Sequence, residues 1–284
     1  PGGIADLLGR FCTQFFLYAW VGAIIIALLL VVVQLLTQAL VRSAYLYGLI
    51  FVPSFLLWVF LLDENALLGG VWAVLITLAA VCCLSKLPNG WTKRILIVLA
   101  IPVVYWMVGC PLPTDRMWFG VHYHRYPTVF PWLIWIALIS AFLLALLGRW
   151  VNRKFKATEG WTVPLLSFAL VAVVMGTIVW KNSNFKAEKV MQYDFMARHQ
   201  QWNRILETIA KEKPNNQIGV TVQNLALAMQ GQLIAHGGEY NQNGLSGLLP
   251  EVQRDATSPL PTSEAFYQLG MVNVAQRTVF EAQE

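Results

Sequence analysis

The chain has 284 residues, 57% hydrophobic and 12% charged, with a mean hydropathy of +0.56. A soluble domain carries about 25% charged residues, so half the expected charge is missing and a wholly soluble globule is excluded. The net charge of +5 does not mark a nucleic-acid protein: residues 181–284 hold nine Lys/Arg against ten Asp/Glu, and the positive excess lies in short loops between apolar runs.

Pro1-Gly2-Gly3 reads as a loop. No basic segment precedes a short apolar core, so no signal peptide is visible, and the chain is expected to be a piece of a longer parent. A membrane-crossing helix needs about 20 predominantly apolar residues. Six stretches without Lys, Arg, Asp or Glu qualify, at about 15–41, 44–62, 66–85, 95–112, 129–148 and 162–180. An ion at mid-membrane costs about 2.5–3.5 kcal/mol on insertion scales, which accounts for the gaps. A buried helix of a soluble protein shows a polar face every turn; Ile24 to Val33 shows none. Pro53 and Pro102 lie inside runs, where neighbouring helices tolerate a kink, and Pro131 and Pro164 lie near helix starts. Trp20, Trp58, Trp72, Trp106, Trp132, Trp135, Trp161 and Trp180 lie mostly near run ends, as an interfacial aromatic belt requires.

The loops form two alternating sets. Arg42, Lys86, Lys93, Arg94, Arg149, Arg153, Lys154 and Lys156 oppose the single acid Glu159. Arg10, Arg116 and Arg125 accompany Asp6, Asp63, Glu64 and Asp115. The basic set should be cytoplasmic, which places Pro1 and everything after Trp180 outside. Cys82 and Cys83 sit within an apolar run and behave as small hydrophobes. Cys12 and Cys110 are expected to be free thiols unless the fold brings them together.

The composition break after Trp180 divides the chain into a transmembrane bundle, 1–181, and an extracytoplasmic helical domain, 182–284. Residues 186–213 read as two helices around a turn at Arg198 to Gln201, closed by Pro214. Trp202, Ile205, Leu206 and Ile209 give the second helix one apolar face. A third helix begins near 217, and a further unit is expected to start at Ser263 as N-cap. Trp202 and Leu233 occupy like positions 31 residues apart, near the 34-residue period of tetratricopeptide (TPR) repeats. Residues 237–262 are punctuated as a long loop, with Leu245, Leu248 and Leu249 expected to tuck it against a helix.

Site candidates are few. His122 and His124 alternate and point one way if extended, but two histidines alone fall short of a zinc ligand set, and a third ligand would have to come from Asp115 or another segment; no metal or other cofactor is expected. Asp63, Glu64 and Asp115 lie on the outer side. A carboxylate there would serve as a base in a GT-C-like transferase using lipid-linked sugars, although short turns favour acids anyway. No run contains a charge, which disfavours ion transport. Gln34, Thr37 and Gln38 are suited to joining helices. In the tail, Tyr193, Trp202, Tyr267 and Gln268 are the expected grip on a partner, though core packing suits the first two better.

The stretches PGGIADLLGRFCTQFF, YDFMARHQQWNRILETIAKEKPNN, NLALAMQGQL and PLPTSEAFYQLGMVNVAQRTVFEAQE resemble an uncharacterised family of bacterial multi-span membrane proteins. The resemblance implies a cytoplasmic-membrane protein with helical repeats outside, in a longer chain, and carries no activity or catalytic residue. The expected fold is therefore all-α: a polytopic bundle of about six spans followed by a soluble TPR-like domain. The expected role is a membrane-anchored scaffold in the bacterial inner membrane, bound by the lipid bilayer and presenting periplasmic repeats to a protein or peptide. A sugar transferase and a subunit of a larger membrane complex are the alternatives, and no nucleic-acid partner is expected.

Overall fold

The computed structural model describes residues 3–41, 43, 45–63, 66–88, 90–108, 132–154, 162–252 and 257–283. The chain divides into two compact units, Pro1–Ser183 and Asn184–Glu284.

The first unit contains α1 (Ile4–Thr13), α2 (Ala19–Val41), α3 (Val52–Phe60, entered through a 3-10 turn at Gly48–Phe51), α4 (Leu68–Lys86), α5 (Trp91–Val108), α6 (Leu133–Lys154) and α7 (Thr162–Asn182). Five of the described helices, α2, α4, α5, α6 and α7, are long and apolar enough to cross a membrane. The expected sixth, over 44–62, is instead a shorter apolar helix from Gly48 to Phe60. Its 13 residues rise about 20 Å at 1.5 Å each, against a hydrocarbon core of about 30 Å. Residues 45–47 and 61–62 are turns. They are apolar, so hydropathy alone counts them as helix.

The core of this unit is drawn from α2, α3, α4 and α6. Val33, Leu57, Phe60, Val71, Leu78, Ala137 and Ala141 are buried there. Small residues set the approach of the helices. Ala137, Ala141, Ala145 and Gly148 recur along one stripe of α6 and are all buried, the arrangement that lets membrane helices come close. A Cβ on Gly148 would lie 2.4 Å from the Val41 carbonyl oxygen at the end of α2. Gly48 meets the backbone of Ser167 in α7 just as closely, and its N–H donates to Ser167 Oγ at 3.2 Å. Ser54 Oγ ties α3 to α2 by donating to the Leu30 carbonyl at 3.0 Å.

α5 buries none of its residues, and α7 buries only Val171 and Val179. Leu165, Leu166 and Leu170 of α7 are each more than two-thirds exposed. Surfaces of this kind are costly in water and neutral against lipid tails, which are as apolar as leucine. Charged residues lie at the helix ends over aromatic rings: Arg94 is 5.6 Å from the Trp91 ring and Lys154 Nζ is 4.4 Å from that of Trp150. These pairs keep the charge at the polar boundary while the stems cover apolar surface. Helix α5 continues through Pro102.

The second unit contains α8 (Phe185–Arg198), α9 (Trp202–Glu212), α10 (Gln217–Met229), the single turn α11 (Leu233–His236), α12 (Pro259–Gln268) and α13 (Val272–Gln283). Asn184 caps α8, its Oδ1 accepting from the Ala187 N–H at 3.2 Å. Lys213 closes α9 in the left-handed region at φ 46. The Ser263 N-cap is corrected: α12 starts at Pro259 and Ser263 lies inside it. Prolines 259 and 261 occupy the first turn, where the missing N–H has no helical partner to lose.

Helix α10 is the centre of this unit. Every residue from Ile218 to Leu227 is buried. The core adds Val190, Tyr193, Met196 and Ala197 of α8, and Ile205 and Ile209 of α9. A helix surrounded on all sides has no use for charge, and α10 has none.

Candidate functional site

At the end of the bundle where α4 begins, two carboxylates are buried. Asp63 occupies the bend before α4 and is 5% exposed. Asp6 comes from α1. Its position follows from a backbone crossing: a Cβ on Gly9 would lie 2.5 Å from the Gly69 nitrogen, and one on Gly69 would lie 3.2 Å from the Asp6 Cα. Asp6 accepts from Arg10 Nε at 2.9 Å, one helical turn on. Glu64, Asp115, His122, His124 and Cys110 lie outside the described residues. Among the described residues no group of three His, Cys, Asp or Glu could hold a metal. Cys12, Cys82 and Cys83 carry free thiols. A groove of about 160 Å³ between α2 and α3 is lined by Leu30, Val31, Gln34, Phe51, Ser54, Phe55 and Trp58, with no carboxylate.

The four tail residues do not converge. Tyr193 is buried in α8, and its hydroxyl donates to Glu212 Oε2 of α9 at 3.1 Å. Lys189 Nζ holds the other oxygen of Glu212 at 2.7 Å. Burial first, then the Glu212 charge, pushes the Tyr193 phenol above its ordinary range, while Lys189 holds Glu212 below the usual carboxylate range. Tyr193 thus fastens two helices together. Trp202 packs half-buried at the start of α9. Gln268 donates to Glu264 Oε1 at 2.8 Å within α12. Tyr267 alone of the four is fully presented, at 60% exposed. Leu269 and Met271 in the turn after α12, and Val272, Val279 and Phe280 of α13, are exposed as well.

Asp194 of α8 is buried and accepts from Arg198 Nε at 2.9 Å. Desolvation raises its carboxyl above the ordinary value, Arg198 opposes, and the Glu264 charge adds to the rise. An acid with a raised folded value binds its proton more tightly when folded, so its ionised form weakens the fold above that value and the penalty fades as pH falls. Asp194→Asn should therefore unfold at a higher temperature than the parent at pH 7. The gap should close toward pH 4, as thermal melts across that range would record.

The loop after α10 is fastened in a way the sequence reading did not foresee. Gln223 and Asn224, side by side on α10, are 1% and 2% exposed. Asn224 and Gln242 face each other as reciprocal amides, each donating to the other's carbonyl oxygen at 2.9 Å. Asn224 Nδ2 also donates to the Gly247 carbonyl at 3.1 Å, and Gln242 Nε2 to that of Gly237 at 2.9 Å. Gln223 Nε2 donates to the Asn241 carbonyl at 3.0 Å. The leucines are the correction: Leu245, Leu248 and Leu249 face outward, at 73%, 45% and 41% exposed. Amides fasten this loop beside the packing of Tyr240 on the core, because a buried helix carrying amides must find them partners. The run Asn241-Gln242-Asn243 was the available signal.

Comparison with curated proteins and with solved structures finds no match. A sequence model described as a family of unknown function, DUF6057, matches residues 1–114 and 110–284. With both halves of the sequence covered, the chain belongs to that family, DUF6057.

Proposed function

We propose that this protein is a membrane-anchored scaffold of the bacterial inner membrane whose second unit is a degenerate TPR-like array offered to a periplasmic protein or peptide. The observation that carries the reading is the run of exposed apolar side chains from Tyr267 of α12 through Leu269 and Met271 of the turn to Val272 and Phe280 of α13, in a unit that otherwise has its own core. Aromatic and aliphatic side chains of this kind are the usual anchors of recognition. The repeat assignment draws on the 32-residue step from Phe185 of α8 to Gln217 of α10, close to the repeat period of about 34. The four-residue α11 makes the second repeat incomplete. The orientation draws on the basic loops and requires the short α3 to carry the chain across, which a locally thinned bilayer permits. In-cell crosslinking from position 267 of the full chain is the test. A specific periplasmic adduct that Tyr267→Ala and Val272→Asp diminish supports the reading; no adduct from the unit's surface overturns it.

The burial of Asp63 favours a second reading, a GT-C-like transferase of lipid-linked sugar. Its measure is transfer from a polyprenyl-phosphate sugar donor by the purified chain. Transfer abolished by Asp63→Asn would replace the scaffold reading.

A further inference from the structure

The outward leucines of the amide-fastened loop are the reverse of what folding alone favours. Residues 244–249 form a tight helical turn, in which the N–H groups of Leu248 and Leu249 donate to the Leu245 carbonyl at 3.0 and 2.9 Å. The spacing of Leu245, Leu248 and Leu249 puts them on one side of that turn. Gly247 is buried on the other side, where a Cβ would lie 2.9 Å from Val220 Cγ1 of α10. The glycine seats the turn on α10, the amides fix its orientation, and three leucines remain in contact with solvent. A turn that needed only to close the chain would bury its leucines. Here they stay outside, and the loop is held by the buried Gln223 and Asn224 of α10, which donate to the Asn241 and Gly247 carbonyls.

The charge around the turn selects the occupant. From Gly237 to Val252 the loop has no Lys or Arg, and its two acids, Glu239 and Glu251, flank the turn in sequence; Lys213 meets the loop through its backbone carbonyl, which accepts from Asn241 Nδ2 at 3.5 Å. Glu239 lies 3.0 Å from His236 Nδ1, and Glu251 follows directly after Pro250. An anionic bilayer surface attracts basic segments and is a poor match for this one. We propose that the turn Gly244–Leu249 is a docking site for a protein segment that is apolar at its centre and flanked by Lys or Arg. The proposal rests on the scaffold reading and assigns it a second contact surface and a partner chemistry.

The test uses the full chain in cells, with a photocrosslinking residue in place of Leu245 and, separately, of Tyr267. The expected result at 245 is a protein adduct whose crosslinked peptide, mapped by mass spectrometry, is apolar with neighbouring Lys or Arg. The double change Glu239→Lys, Glu251→Lys should reduce that adduct about fivefold or more, while the 267 adduct persists. Leu248→Ser with Leu249→Ser should also remove it without lowering the unfolding temperature, since neither side chain is buried. Adducts at 245 only to lipid, protein adducts indifferent to the charge reversal, or adducts at 267 with none at 245 would each overturn the docking site and leave the scaffold standing. No adduct at either position would overturn both.

Discussion

Replacing Asn224 by leucine, which keeps the number and branching of the side-chain heavy atoms, should lower the stability of the second unit by about 2–4 kcal/mol. The change removes two donated bonds and one accepted bond. It leaves the Gln242 amide and the Gly247 carbonyl facing an apolar side chain. For a unit of about 100 residues this corresponds to a fall in melting temperature of roughly 10 °C or more. The loop should open before the core does, so limited proteolysis should cut first between Gly237 and Val252. Asn241→Ala offers the contrast. Its side chain makes only long contacts, at 3.3 and 3.5 Å, with the carbonyls of Pro214 and Lys213, and its loss should shift the melt by a few degrees at most. Equal effects of the two changes would show that the amide ring is not what holds the loop.

The bundle has its counterpart in Gly148→Leu. The obstacle is backbone, the Val41 carbonyl at 2.4 Å from the new Cβ, and no side chain can swing aside. Helix α6 must move away from α2, opening the core around Ala141 and Ala145. Over-packing of this kind costs about 1–3 kcal/mol. In detergent the melting temperature should fall with side-chain size in the series Gly148→Ala, Gly148→Val, Gly148→Leu. A flat series would mean that α2 and α6 do not meet there.

How much of this was legible depends on the physics that wrote each element. The long helices are visible because charge is expensive in lipid, so its absence over 162–180 or 66–85 is a direct trace of the environment. The same signal misjudged the segment around α3. Tyr45, Leu46, Tyr47, Leu61 and Leu62 are apolar and yet lie in turns, and hydropathy records solvent, not backbone conformation. The crossing of α1 on α4 was invisible as well. It depends on Gly9 meeting Gly69, a coincidence of two distant glycines that no periodicity reports. The Asp6–Arg10 spacing was the one local clue to α1. In the tail the α8–α9 hairpin could be read from its apolar stripe and from Pro214. The loop could not, because hydrophobic pattern assigns leucines inward and says nothing of amides that pair across 18 residues. Tyr193 was legible in the other direction: core packing suited it better than gripping a partner, and it is buried against Glu212.

Orientation is the claim on which the scaffold reading turns, and thiol labelling with a membrane-impermeant maleimide measures it directly. Leu245→Cys and Lys154→Cys both place a thiol at an exposed position. In cells with a permeabilised outer membrane and an intact inner membrane, the account predicts labelling above the parent's background at 245. It predicts none at 154 until the inner membrane is lysed. Labelling at 154 with protection at 245 would put the helical unit in the cytoplasm and contradict the account.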